Sequence, residues 1–231
     1  MTITPASPQF TLDRSRHAAP QVFERLHDMI IDLTLTPGTV LSRTELAAQF
    51  GLSQTPIRDA LQKLGEEGLV DIFPQHATLV RPIEIDLARQ AHFLRGAIEL
   101  EVVHTVAGKA DAALAGKLNA SLARQRVLAE EEGVEAFALA DQAFHKLLYD
   151  AAGVPDLWQL VRRQSGHIDR LRRLDLPTPG KRPRVLQDHA ELVAAIVEGD
   201  AALAQGVLRR HLSGTLSNID EIRARYPSYV K

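Results

Sequence analysis

The chain has 231 residues, 45% hydrophobic and 24% charged, with a formal net charge of -2, a composition that suits one or two folded units rather than a disordered chain. It contains no cysteine, which excludes disulfide scaffolds, thiolate zinc fingers, iron–sulfur clusters and cysteine nucleophiles, so any metal must sit on histidine and carboxylate. Its longest apolar run, Leu192 to Val197, is six residues, against the ~20 needed to cross a bilayer.

The first 19 residues lack the apolar core of a signal peptide and read as a flexible N-terminal tail on a soluble, cytoplasmic protein. From Pro20, which suits the first helical turn, Val22, Leu26, Met29, Ile30 and Leu33 follow the spacing of an amphipathic helix that stops at Pro37-Gly38. Ser42-Arg43-Thr44-Glu45 then reads as a capping box, opening a short helix with Leu46, Ala47 and Phe50 inward and Gly51 as its left-handed stop. Ser53 is expected to cap a third helix, whose Ile57, Ala60, Leu61 and Leu64 fall on one face. Two β-rich runs, Gly68 to Ile72 and Ala77 to Pro82, follow as a hairpin. Beyond Asp86 the periodicity is helical throughout, predicting helices over about 86–107, 111–132, 134–152, 156–175, 184–198 and 200–225. The chain therefore divides into a tail (1–19), a helix-plus-hairpin domain (20–82) and an all-α bundle (86–225).

A short helix, a tight Gly51-Leu52-Ser53 turn and a second helix form the helix-turn-helix plan, in which the second helix enters the major groove by its N-terminal residues. Those residues have fitting chemistry. Ser53 and Thr55 suit phosphate, Gln54 suits adenine, and Arg58 suits a guanine edge or a phosphate, while Arg43 on the preceding helix is placed for phosphate. The same elements would also suit a small protein-interaction domain. Residues 1–82 carry seven Lys/Arg against nine Asp/Glu, so double-stranded DNA would be held through a few local contacts and through dimerisation.

In the bundle, polar groups interrupt apolar stripes. Asp141 and His145 are neighbours on the stripe of Val134, Ala138, Leu148 and Ala152; His189 stands among Val185, Leu192, Val193 and Ile196; His211 stands among Val207, Leu208 and Leu212. Each histidine alone suits a satisfied core residue. Together one Asp and three His make a nitrogen and oxygen set for a divalent ion such as zinc, nickel, manganese or iron. His104 and His167 are candidate supporting groups. Arg95 shares a stripe with Ala91, Leu94, Ile98 and Val102, either as an i, i+4 partner of Glu99 or as a fork for a ligand carboxylate.

These residues carry a resemblance. Pro37 to Ala47, Ser53 to Leu64 and Glu67-Gly68-Leu69-Val70 are similar to the winged helix-turn-helix of the GntR family of bacterial transcription regulators, where the positions of Arg43, Thr55 and Arg58 touch DNA. Leu94-Arg95 with Glu99, Asp141 to His145, Asp188-His189 and Arg210-His211-Leu212 resemble the FCD effector domain of the FadR subgroup. That resemblance implies a metal on Asp141, His145, His189 and His211 and an acidic effector at Arg95. The chain departs from the family pattern in three places: Gln54 where arginine is common, Gln75-His76-Ala77 where the wing tip carries glycine, and Val154 where asparagine is common.

The expectation is a mainly α homodimeric regulator, not an enzyme and not membrane-bound, that binds operator DNA, a divalent metal (zinc, nickel or manganese) and a small organic acid. The rivals are a metal-dependent enzyme on the bundle, to which Glu101-Val102-Val103-His104 contributes a Glu-x-x-His motif, and a metal sensor with no organic effector.

Overall fold

A computed structural model describes residues 12–73, 77–130 and 133–231. The chain forms two compact units, one from the segment ending at Glu84 together with Tyr226–Lys231, the other Ile85–Arg225.

The first unit is a winged helix-turn-helix of α1 (Ala18–Ile31), α2 (Arg43–Phe50), α3 (Gln54–Glu66), β1 (Val70–Ile72) and β2 (Thr78–Val80). The apolar spacing that predicts α1 and α3 also packs them, with Val22, Leu26 and Ile30 buried against Ile57, Leu61 and Leu64. Gln21 is buried as well and ties residues 13–17 to α1, accepting from the Asp13 amide and donating to the Asp13 carbonyl. Leu33 lies outside the expected helix: α1 ends at Ile31, and Leu33 adopts φ 66° in the turn that follows. Ser42 does cap α2, its Oγ accepting from the Glu45 amide at 3.3 Å, and Gly51 closes α2 at φ 64°.

Ser53 occupies the N-cap position of α3 but makes no side-chain cap bond. One of its two usual donors is missing: the third residue of α3 is Pro56, which has no N–H to offer.

β1 and β2 pair antiparallel with Val70 opposite Val80. Residues 38–41 run beside β2, with Gly38 and Leu41 amides donating to the Val80 and Thr78 carbonyls at 2.8 Å, a third short edge to the wing that the Pro37-Gly38 stop conceals in the sequence. Gln75 and His76, the wing-tip positions, lie outside the described residues. Tyr226–Lys231 returns to this unit: the Ile83 amide donates to the Tyr229 carbonyl at 2.8 Å and the Lys231 amide to the Ile83 carbonyl at 2.9 Å, burying Ile83 and Val230.

The second unit is all α: α4 (Ile85–Ala107), α5 (Ala112–Glu130), α6 (Glu135–Ala152), α7 (Pro155–Gln164), α8 (Gly166–Asp175), α9 (Lys181–Glu198), α10 (Ala201–Ser213), a 3₁₀ turn at Leu216–Asn218 and α11 (Ile219–Arg225). α4 lies against α6, α8, α9 and α10, and α5 covers α6 and α9. The expected helix over 156–175 is two helices. Ser165 Oγ donates to the Val161 carbonyl at 2.8 Å, and this back-bond beside Gly166 breaks the ladder. The expected helix over 200–225 also breaks, at Gly214, where a Cβ would sit 3.3 Å from Lys181 Nζ. On α6 the buried face is turned from the expected stripe: Phe137, Phe144 and Tyr149 are fully buried beside Asp141, His145 and Leu148, while Val134, Ala138 and Ala152 are half-buried.

Candidate DNA-reading surface and metal centre

Arg43, Ser53, Gln54, Thr55 and Arg58 are all exposed on the first unit. Arg43, Gln54 and Arg58 line one open groove whose other walls include the apolar wing residues Ile72, Phe73 and Ala77; Ser53 and Thr55 do not line it. Burial of the Ile57 and Leu61 face fixes which side of α3 is left to solvent, and so aims Gln54 and Arg58 outward. Among the described residues Arg58 bonds only its neighbour Asp59, at 3.0 Å, an exposed pair worth ~0–1 kcal/mol.

In the second unit, Asp141 and His145 on α6, His189 on α9 and His211 on α10 meet in the interior, each offering a ligand atom within 4.8 Å of the others. His211 Nε2 lies 3.2 Å from His145 Nε2 and 3.3 Å from His189 Nε2. Asp141 Oδ1 lies 3.7 Å from His189 Nε2. That oxygen is buried and has no hydrogen-bond partner among the described residues, a costly state for a carboxylate unless a cation completes it. Burial would raise the Asp141 pKa, but Arg172 first and the three imidazoles next hold it well below the carboxylate range. Burial, then the neighbouring His211, holds His189 well below the histidine range. Burial lowers His211 to about 4 although Asp188 pulls the other way. Neutral His189 and His211 and an ionised Asp141 are forms that bind a metal, and with His145 beside them the residues fit a divalent ion.

The remaining ring nitrogens face supporting groups. His189 Nδ1 pairs with Gln125 Oε1 of α5 at 2.7 Å. Glu99 Oε2 of α4 lies 2.9 Å from His145 Nδ1, an ion-pair contact not aligned as a hydrogen bond. Asp188 Oδ2 lies 3.7 Å from His211 Nδ1. Such partners orient metal-ligating rings. Sequence reading missed Gln125, Asp188 and Arg172 in this role and paired Glu99 only with Arg95. The stripe Leu118, Leu122, Gln125 on α5, all buried, was a usable signal for Gln125. His104, by contrast, is exposed and supports nothing at the centre, and His167 sits 3.2 Å from Arg170 Nη2 on its own helix.

Arg95 is the i, i+4 partner of Glu99. It is buried, its Nε donates to Glu99 Oε1 at 2.6 Å, and it also lines a cleft with Arg172, Lys181, Arg184, Asp188 and His211. Against burial, Arg95 and then His145 hold the Glu99 carboxyl well below the usual range.

The profile of the bacterial regulatory proteins of the GntR family matches residues 18–80, and that of the FCD domain residues 90–214. A Streptomyces ambofaciens HTH-type transcriptional regulator in an unstable DNA locus is 36% identical over 89% of this chain and 86% of its own. The Escherichia coli K12 HTH-type transcriptional repressor RspR is 28% identical over 88% of this chain and 89% of its own. Among solved structures, E. coli McbR/YncC has the same fold with a TM-score of 0.75 at 20% identity, covering 91% of this chain and 99% of that one. A GntR regulator from Rhodococcus sp. RHA1 follows at 0.68 and 21% identity, over 87% and 96%. A DNA-reading head followed by an FCD bundle, matched over nearly the whole chain, places this protein in the GntR family of bacterial transcription regulators.

Proposed function

We propose that this regulator is a homodimeric, ligand-responsive reader of operator DNA whose helical unit binds one divalent metal (zinc, nickel or manganese) and a small carboxylate metabolite. The domains are then a tail over 1–19, a DNA-binding domain over 20–82 and an effector-binding and dimerisation domain over 86–225. The observation that carries the reading is the meeting of three Nε2 atoms and the partnerless Asp141 Oδ1 in one buried site. A bound metal supplies positive charge that ties α6, α9 and α10 together. Asp141, His145, His189 and His211 hold it, and Glu99, Gln125 and Asp188 keep the imidazoles in register.

The cleft beside the centre favours an anion, since Arg95, Arg172, Lys181 and Arg184 outnumber Asp188 on its walls. Its volume of about 30 Å³ is room for one or two waters. An organic acid therefore enters only as lining side chains move, and Arg95, already braced by Glu99, receives its carboxylate. On the reading head, Arg58 takes a guanine edge or phosphate, Gln54 an adenine, and Arg43, Ser53 and Thr55 the backbone. With so few positive groups per head, pairing of two heads on two half-sites supplies the affinity. Phe93 on α4, 78% exposed, with exposed Ala97 on the same face, supports a homodimer seam. The effector acts by binding one arrangement of the protein better than the other.

A metal-dependent enzyme has weaker support: Glu101 and His104, its Glu-x-x-His motif, are both exposed and so lie off the buried centre. The deciding experiment measures binding of the chain to its own upstream DNA by anisotropy, metal-stripped or zinc-loaded, with a panel of organic acids. Sequence-specific binding that responds to an acid only when metal is present is expected. No sequence-specific binding overturns the proposal, and a response to zinc alone makes the protein a metal sensor. Elemental analysis of His145→Ala and His211→Ala should find the bound metal lost; unchanged stoichiometry removes the site.

A further inference from the structure

Arg172 of α8 stands between the metal centre and the cleft. Its Nη2 bonds Asp141 Oδ2, the oxygen opposite the partnerless Oδ1, and the same side chain lines the cleft. Its other terminal nitrogen lies only loosely, at 4.0 Å, from Asp169, whose own ion-pair partner is Arg162. Two other cleft cations are tied to carboxylates that are not candidate ligands: Arg95 to Glu99 at 2.6 Å and Lys181 to Asp175 at 2.5 Å. The Asp175 clasp is reinforced by Asn218 Nδ2 at 3.0 Å. Arg172 therefore differs from these neighbours in that its carboxylate partner is itself one of the four proposed ligands.

We propose that Arg172 is a cation shared between Asp141 and the cleft, and that a divalent metal and a small carboxylate bind cooperatively through it. This rests on the metal and anion sites proposed above. With no metal, Arg172 is the counter-charge that lets Asp141 remain ionised in the interior. When a divalent cation claims Asp141 from the Oδ1 side, Arg172 becomes surplus positive charge beside that cation, and its guanidinium is available to an anion in the cleft. Conversely, an anion on Arg172 draws its charge away from Asp141 and leaves that carboxylate a stronger donor. Each ligand removes a penalty the other would meet, and linkage requires the two effects to be equal.

The test is calorimetric titration of metal-stripped protein with Zn²⁺ in chloride buffer at several acetate concentrations. Acetate should tighten zinc binding by about 5-fold or more, the low end of ordinary coupling between sites, and zinc should tighten acetate binding by the same factor. In Arg172→Gln, zinc alone should bind at least as tightly as in the wild type, because a competing cation is gone, and acetate should no longer alter it. Should that variant fail to fold, the ¹⁵N signal of the Arg172 guanidinium in the wild type decides: it should move on adding zinc and again on adding acetate. Independent binding of zinc and acetate, an unmoved Arg172 signal, or coupling retained in Arg172→Gln overturns the proposal; retained coupling would mean that acetate sits on the metal itself. Absence of zinc binding by the wild type would instead overturn the metal-site reading beneath it.

Discussion

Arg58 of the reading head carries a 62% exposed side chain and pairs with Asp59 at the surface, whereas Arg95 of the helical unit is 9% exposed and gripped by the fully buried Glu99 at 2.6 Å. The two arginines belong to opposite designs. On the head, the proposed DNA contacts face water, so they contribute little to folding and stay open to a partner. In the bundle, charges are already partnered inside the protein, so removing one damages the fold before it reports on function. The contrast predicts that stability and binding separate cleanly between the units, and each of the following measurements can break it.

The largest effect is expected from Arg95→Ala. It leaves Glu99 buried beside His145 without its main counter-charge, which should cost about 3–5 kcal/mol of unfolding free energy in urea denaturation. A loss under ~1 kcal/mol would mean that water or a rearranged neighbour replaces the guanidinium. Such a result would remove the distinction between the two arginines.

Acid should act on the bundle next. The folded pKa of His211 is lowered to about 4 against ~6.5 for the unfolded chain, so the unfolded state binds more protons between those values. The stability of the metal-free protein is therefore fully present above about pH 6.5 and falls as pH drops towards 4. The loss from this residue is about 3 kcal/mol. Melting temperatures of metal-stripped protein across that window check the slope, and a flat profile would refute the burial of neutral imidazole.

Arg58→Ala should leave the melting temperature nearly unchanged while weakening operator binding by about 1–3 kcal/mol, roughly 5- to 150-fold. Bound zinc should be unaffected. An Arg58→Ala protein that binds its operator normally would move recognition away from α3.

How much of this was readable beforehand follows the same division. The head's fold is written locally: Ile57, Ala60, Leu61 and Leu64 repeat with the helical period, Gly51 marks a left-handed stop, and the α2 cap is spelled out by Ser42 and Glu45. The candidate ligands in the bundle were readable as well, because polar Asp141, His145, His189 and His211 interrupt apolar stripes. What the sequence hid is long-range. Gln125 and His189 are 64 residues apart and Arg172 and Asp141 are 31 apart, and no local period links either pair. The return of Tyr226–Lys231 to Ile83 is likewise a backbone pairing with no side-chain signature. The breaks fall at Ser165, with its back-bond to Val161, and at Gly214, single residues that periodicity alone reads through.

The smallest effects offer the sharpest comparison, because two serines in equivalent positions should behave differently. Ser42 and Ser53 both stand at the N-cap of a head helix, but only the Ser42 hydroxyl accepts an amide, that of Glu45. Ser42→Ala should therefore cost about 0.5–2 kcal/mol of stability and leave operator binding by the folded fraction near wild type. Ser53→Ala should cost at most a few tenths of that, since Pro56 already denies it the third-residue amide. Its exposed hydroxyl at the start of the recognition helix has no cap bond to break, so its loss should appear in operator affinity, as a fall of about 1 kcal/mol for one phosphate hydrogen bond. Equal stability losses in the two variants would mean that the Ser53 side chain turns inward to cap α3 in solution, and Ser53 would then leave the DNA-reading set.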